Sequence, residues 1–309
     1  MKKVIKRFIP KKLLEAARRW RTKNTIAKIH KYYENHRDVP PEITEHLKQM
    51  NEVGVFAYNY NLLEKYINRR IQVHHDKNKD LPYIIQDDRK LYFSRELGSD
   101  TEIAHYYNII SAEQDSESPH CYFSGNLDFD NCEVLLDIGA AEGNLAFSVV
   151  DRVKKVYVFE CENNFVEALS ATFESYGDKV EIVRKYVSDK NNKNETTIDE
   201  FLRNKPYKSG IIKMDIEGFE MLALSGAIET LRDKNFTFIV AAYHRSTDET
   251  EIPTFLSKFN YECRLSKGYL LAIFLERRPP YFRRCLVFAD KTKGGSPTHA
   301  TINDSGETV

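Results

Sequence analysis

The ten residues Val134–Gly143 (VLLDIGAAEG) carry the strongest chemical signal in this 309-residue chain. An apolar run from Val134 to Leu136 ends at Asp137, and Gly139 and Gly143 follow, which reads as a buried strand turning sharply into a helix. A dinucleotide fold uses G-x-G-x-x-G so that bare backbone can approach a pyrophosphate at a helix N-terminus. Here the middle glycine is missing and Glu142 stands where that anion would lie. A carboxylate repels a pyrophosphate and attracts the ammonium and sulfonium of S-adenosylmethionine. Asp137, Gly139, Ala141, Glu142 and Gly143 are therefore the expected cofactor-binding turn.

In an open α/β sheet the ligand lies beyond the carboxyl ends of the strands. Glu160 follows the second predicted strand at the distance from the glycine turn where an acid takes the two ribose hydroxyls. Val187, Ser188 and Asp189 follow the third, near an adenine edge, and Ser188 completes the expected cofactor set with Asp215. Asp215, Glu217 and Glu220 follow the fourth strand in IIKMDIEGFE, and Tyr243 and His244 follow the fifth. Structural alternatives stay open: Glu160 as a helix cap, Glu217 and Glu220 as acids offsetting a helix dipole, and His244 as a buried structural histidine.

These residues need a sheet to converge. Predicted strands at Val134–Leu136, Val156–Phe159, Val180–Val183, Ile211–Met214 and Phe238–Ala241 alternate with helical stretches, and two more lie near Tyr261–Arg264 and Leu270–Phe274. The expected fold class is α/β, a doubly wound Rossmann-like sheet over residues 113–290. Residues 1–112 form an accessory region. From Lys11 to Tyr33 apolar residues recur at helical spacing, with a phase slip near Asn24-Thr25 that suggests a cap between two helices. Ile43, Leu47 and Met50 mark a short helix ending before Gly54. Ile71–His75, Leu81–Gln86 and Leu91–Phe93 read as a small antiparallel meander. His74 and His75 point to opposite faces of a strand and cannot chelate together. A helix is expected over Thr101–Ser111, then the loop EQDSESPHCY (Glu113–Tyr122). The tail, residues 291–309, lacks large apolar residues and is expected to be disordered.

Composition excludes several classes. With 41% hydrophobic and 30% charged residues this is a globular chain, and no run approaches the roughly 18 apolar residues of a membrane span. The first residues, MKKVIKRFIPKK, lack the apolar centre of a signal peptide. Five scattered cysteines without a C-x-x-C pair fit a reducing compartment, so a cytoplasmic location is expected. The net charge of zero conceals a basic arm: residues 1–40 hold 13 Lys/Arg against three acids. Such an arm is suited to peripheral contact with an anionic inner membrane surface, or to packing on its own body.

VLLDIGAAEGNLAFSVV, VYVFE, TTIDEFL and IIKMDIEGFEMLALSGAIETL together resemble the FkbM family of S-adenosylmethionine-dependent methyltransferases, over about residues 113–275. The EQDxxSPHxY loop, the YHR after the fifth strand and the PPYxRR at Pro279–Arg284 are shared with bacterial members. Cys161 and Ala241-Ala242 depart from the pattern, standing where many members have Pro and Glu. The resemblance implies S-adenosylmethionine as cofactor and O-methylation of a hydroxyl on a sugar, polysaccharide precursor or secondary metabolite. An alcohol attacking a sulfonium in line needs alignment and a base to take its proton. His244 is the expected base, Asp215 would hold that base or the methionine ammonium, and His120 is the second candidate for the base. A divalent cation on Asp215, Glu217 and His244 is the alternative to that base, and a reaction without metal is favoured.

Two other functions compete. A non-catalytic S-adenosylmethionine-binding module would keep the pocket without the chemistry. A nucleic-acid methyltransferase would use the basic arm as a phosphate clamp. Base amino-methylating enzymes resemble one another in an Asn/Asp-Pro-Pro-Tyr motif after the fourth strand, where this chain has Met214-Asp215-Ile216-Glu217. The expected partner is thus a small-molecule or glycan hydroxyl acceptor, not nucleic acid. A nicotinamide dehydrogenase is disfavoured by the glycine spacing.

Overall fold

The computed structural model describes residues 11–125, 127–275 and 278–292, with side chains from Lys23 onward except Phe274. Residues 1–10 of the basic arm and residues 293–309 of the expected tail lie outside the described residues.

The accessory region opens with α1 (Lys11–Glu34), α2 (Pro41–Glu52) and α3 (Tyr60–Ile67). α1 is continuous through Asn24-Thr25, so the phase slip is no break between helices. Its C-terminal half is anchored by Ile29 and Tyr33, which pack with Ile43, Leu47 and Met50 of α2. α3 is absent from the sequence-based expectations, although Asn59 caps it by accepting from the Asn61 amide at 2.9 Å. The meander follows as β1 (His74–Asp76), β2 (Leu81–Gln86) and β3 (Arg89–Tyr92), paired antiparallel in that order. The His74 ring stacks on Tyr83 while His75 pairs with Asp100, so the two rings do diverge. α4 (Asp100–Glu113) begins at a capping box in which Ser99 and Glu102 satisfy each other's backbone.

The main domain runs β4 (Val134–Ile138), α5 (Asn144–Val149), β5 (Lys155–Phe159), α6 (Asn163–Phe173), β6 (Val180–Val183), β7 (Tyr186–Val187), β8 (Glu195–Thr196) and α7 (Ile198–Leu202). It continues through β9 (Ser209–Met214), α8 (Glu220–Ser225), α9 (Ile228–Asp233), β10 (Asn235–Ala241), α10 (Asp248–Ser257), β11 (Tyr261–Leu265), β12 (Leu270–Leu271), β13 (Phe282–Arg283) and β14 (Leu286–Lys291). The large sheet has the order β11-β14-β10-β9-β4-β5-β6. β6, β5, β4, β9 and β10 are parallel, and β14 runs antiparallel between β10 and β11. This is a doubly wound Rossmann-like sheet, with its order reversing between β4 and β9.

All five residues of β4 are buried. Leu135 joins the core on one face, with α4 and α5, while Val134, Leu136 and Ile138 join the core on the other, with α7, α8 and α9. The first of these cores also takes Leu62 and Leu63 of α3 and Ile103 and Ile110 of α4, so accessory region and sheet share one interior.

Two expectations at the C-terminal end are corrected. Leu270–Phe274 is no strand of the main sheet: Leu270–Leu271 pairs with Phe282–Arg283, and Ala272–Phe274 is a single 3-10 turn. The strand that fills the sheet is instead Leu286–Lys291, so Lys291 is not part of a disordered tail. Its first four residues are buried on both faces and show no alternation, which hides a short strand beside the polar tail.

Candidate active site

The carboxyl ends of β4, β5, β9 and β10 open on two adjoining cavities. The larger, about 620 Å³, is lined by Ile138, Phe159, Glu160, Tyr186, Ser188 and Phe219 among others. The smaller, about 240 Å³, is lined by Tyr106, Glu113, His120, Glu142, Lys213 and Tyr243 among others. Gly139, Ala141, Asp215 and Glu217 border both.

Gly139 is required by close approach. Its φ is +74°, and a Cβ there would lie 2.0 Å from the carbonyl oxygen of Asp215. Gly143 has the same φ, but a Cβ would meet Leu169 Cδ2 at 2.6 Å and then Phe173. It lines neither cavity, which corrects its expected cofactor contact: Gly143 lets α5 start against α6. Gly139→Ala should therefore cost about 3 kcal/mol or more in a urea titration, because backbone must move. Gly143→Ala should cost less, since only a side-chain tip is in the way.

Asp137 lines the smaller cavity and also serves as a brace. Its Oδ1 lies 3.1 Å from Lys213 Nζ and its Oδ2 accepts from the Ala146 amide. Lys213 Nζ donates to Gly139 O at 2.6 Å, so this buried pair pins the glycine turn to β9. Glu160 accepts from the amides of Ala141, Cys161 and Glu162 while lining the large cavity. It is held in place by three donors, with lone pairs remaining for ribose hydroxyls. Ser188 lines the same cavity, donates to Glu195 and accepts from the Lys190 amide. Asp189 borders neither cavity.

Glu142 differs from all of these. It is 4% exposed, and its Oε1 has no partner. Burial pushes its carboxyl up to about 7, against a hydrogen bond from Tyr106. A buried carboxylate oxygen without a partner on a cavity wall is costly unless a donor or cation meets it.

Asp215 is the hub of the smaller cavity. Tyr122 Oη donates to its Oδ2 at 2.8 Å, His120 Nε2 lies 3.1 Å from Oδ2, and Tyr243 Oη donates to Oδ1 at 3.2 Å. Burial raises this carboxyl, but the hydrogen bond and charge of His120, then the charges of Lys213 and His244, hold it well below the usual carboxylate range.

The two histidines differ in where they lie. His244 borders neither cavity. Its Nδ1 lies 2.9 Å from Glu220 Oε1, a close ion pair off the hydrogen-bond line, and its Nε2 lies 3.5 Å from Asp215 and 3.6 Å from Glu217. Burial lowers the His244 pKa, yet the adjoining Glu220 carboxylate and the charges of Asp215 and Glu217 outweigh it, and the net shift is upward. The expected base thus lies behind Asp215 and away from both cavity walls. His120 lines the smaller cavity with Nε2 between Asp215 and the Tyr243 hydroxyl, 3.2 Å away.

Asp215, Glu220 and His244 do offer ligand atoms within 4.8 Å of one another, with Glu220 taking the place expected of Glu217. The imidazole nitrogens already face these carboxylates. Glu220, buried and accepting from the Ile216 amide, shapes the loop, while Glu217 is 82% exposed with φ +57° at the cavity mouth. Sequence reasoning missed Tyr106, Glu113, Tyr122, Lys213, Tyr186 and Phe219. Glu113 and Tyr122 bound the loop EQDSESPHCY and Lys213 opens K-x-D-x-E-G, whereas Tyr106 had no signal at all.

Sheet order and paired cavities define the class: a doubly wound α/β protein with its site at the topological switch point. Residues 164–263 match the family model for the methyltransferase FkbM domain, in agreement with the resemblance read from the motifs. No curated protein matches the chain. Among solved structures it is similar to methyltransferase FkbM from Methylobacillus flagellatus KT, with 18% identity and a TM-score of 0.44, covering 81% of this chain. The chain spans 62% of that protein's length. It is also similar to an rRNA methylase from Streptococcus thermophilus (13% identity, TM-score 0.36, 53% of this chain and 89% of that one). A third is M. capricolum TrmK, solved with S-adenosyl-homocysteine (13% identity, TM-score 0.39, 55% of this chain and 69% of that one).

Proposed function

We propose that this protein is an S-adenosylmethionine-dependent O-methyltransferase acting on a hydroxyl of a sugar, polysaccharide precursor or secondary metabolite. The observation that carries the reading is the buried Glu142 carboxylate, with Oε1 unpartnered, beside a turn shared by two cavities. The larger cavity is of a size to take an adenosine, with Glu160 at the ribose and Tyr186 and Phe219, each more than half exposed, at its wall. The methionine end would then extend past Ala141 to Glu142, whose carboxylate takes the ammonium. Bound there, S-adenosylmethionine supplies a methyl group activated on a sulfonium.

The smaller cavity provides for the acceptor. A hydroxyl entering it meets His120 as base at Nδ1, the ring nitrogen without a partner, while Nε2 donates to Asp215. Asp215 Oδ2, 3.1 Å away, stabilises the imidazolium formed, and Tyr122 and Tyr243 hold that carboxylate in place. His244, held by Glu220, is a positioning residue for Asp215. The reaction needs no metal in this arrangement, and turnover is expected to survive EDTA.

The test has two stages. Calorimetric titration with S-adenosylmethionine should give one site per chain. With an acceptor found by screening hydroxylated glycans for radiolabelled methyl uptake, His120→Ala should lower kcat about 10²–10⁴-fold. His244→Ala should act less strongly, through KM and stability. Full turnover in His120→Ala would return the base to His244, and absence of cofactor binding would end the proposal.

A further inference from the structure

The wall of the smaller cavity is unbalanced in charge. Glu113, Asp137, Glu142, Asp215 and Glu217 line it, with Lys213 the one Lys or Arg among the described lining residues. Lys213 is committed to Asp137 and Gly139 O. Three of the neutral donors are committed too. Tyr122 and Tyr243 donate to Asp215, and Gln114 donates to His120 O. Free capacity is thus left on the accepting side, and the unpartnered Oε1 of the 96% buried Glu142 marks it.

Glu142 meets the cofactor in the reading above, which leaves Glu113. This residue ends α4, so the accessory region delivers it to the acceptor side together with Tyr106 and Ile110 of the same helix. Burial raises its carboxyl, His120 lowers it, the charge of Asp215 raises it again and a hydrogen bond from Tyr58 lowers it, with a net upward shift. Its remaining lone pairs are left for a ligand. A group so placed gains most from a ligand that gives it a proton donor.

We propose that Glu113 is a specificity residue: it accepts a hydrogen bond from a hydroxyl or amine of the acceptor beside the reacting hydroxyl, and it excludes acceptors bearing a carboxylate or phosphate there. A second anion in this half-closed cavity would face Glu113, Asp215 and Glu217 with no free cation opposite. This inference rests on the smaller cavity being the acceptor site of a methyltransferase.

Saturation-transfer NMR on the full chain loaded with S-adenosyl-homocysteine tests it, using methyl glucoside, glucosamine and methyl glucuronate as probes. The first two should bind at least tenfold more tightly than the glucuronate. Glu113→Gln should shrink that ratio to below about threefold by admitting the anion. Glucuronate binding as tightly as the neutral sugar, or an unchanged ratio in Glu113→Gln, overturns the role of Glu113. Failure of S-adenosyl-homocysteine to load the wild-type chain is a different result, and removes the methyltransferase reading itself.

Discussion

Glu142→Gln is expected to weaken S-adenosylmethionine binding about 10–100-fold at pH 7.5 and, at the same pH, to make the free protein more stable. Both effects come from one buried carboxylate. Its folded pKa of about 7 lies above the ordinary 4.5, so the fold favours the protonated form. Stability is therefore lost as pH rises from 4.5 through about 7, and the full cost is present above that. The interval corresponds to at most about 3 kcal/mol, which a neutral glutamine removes. The loss of affinity follows from the charge-assisted hydrogen bond to the ammonium, worth roughly 1.5–3 kcal/mol. Wild-type affinity should rise up to about tenfold per pH unit between pH 5.5 and 7, then level off, and the variant should lack that slope. Urea midpoints and calorimetric titrations at pH 5.5 and 7.5 check both arms. A variant that binds the cofactor as tightly as wild type at pH 7.5 would show that the ammonium sits elsewhere.

Asp215→Asn should lower turnover about 10²–10⁴-fold with saturating cofactor and acceptor, and destabilise the chain by about 2–3 kcal/mol. The carboxylate accepts from two tyrosines and faces His120 and His244. An amide turns two N–H donors toward groups that are themselves donors, and it removes the negative charge beside the His120 ring. Because the folded Asp215 carboxyl titrates below the ordinary 3.8, its contribution to stability is complete above that value and is lost as pH falls below it. The variant should accordingly lose part of the wild-type acid transition. Single-turnover rates and acid unfolding monitored by circular dichroism give the two readouts. Turnover within threefold of wild type would remove Asp215 from the chemistry.

Much of the sheet was legible because its period is a property of the chain itself. Parallel strands buried on both faces read as short apolar runs, and β4, β5, β6, β9 and β10 were placed to within three residues. β14 was missed because the residues that follow it are polar and no glycine or helix separates it from a loop. α3 was missed because eight residues give barely two turns of periodicity. The glycine turn, the acid at Glu160 and the carboxylate at Glu142 are local features, and local spacing determined them.

Which histidine meets the acceptor is a different kind of fact. His120 and His244 both lie near Asp215 in space, and nothing in their sequence neighbourhoods separates a cavity-lining ring from one enclosed by three acids. That depends on how β10 sits beside β9 and on how the loop after α4 folds over the sheet edge. The same holds for Glu113 and Tyr106, brought to the site by α4 packing on the shared core. Periodicity and turn chemistry act over a few residues and so are written in the sequence. Side-chain access and pKa depend on burial and on charges contributed from more than 90 positions away, and only the assembled fold sets those.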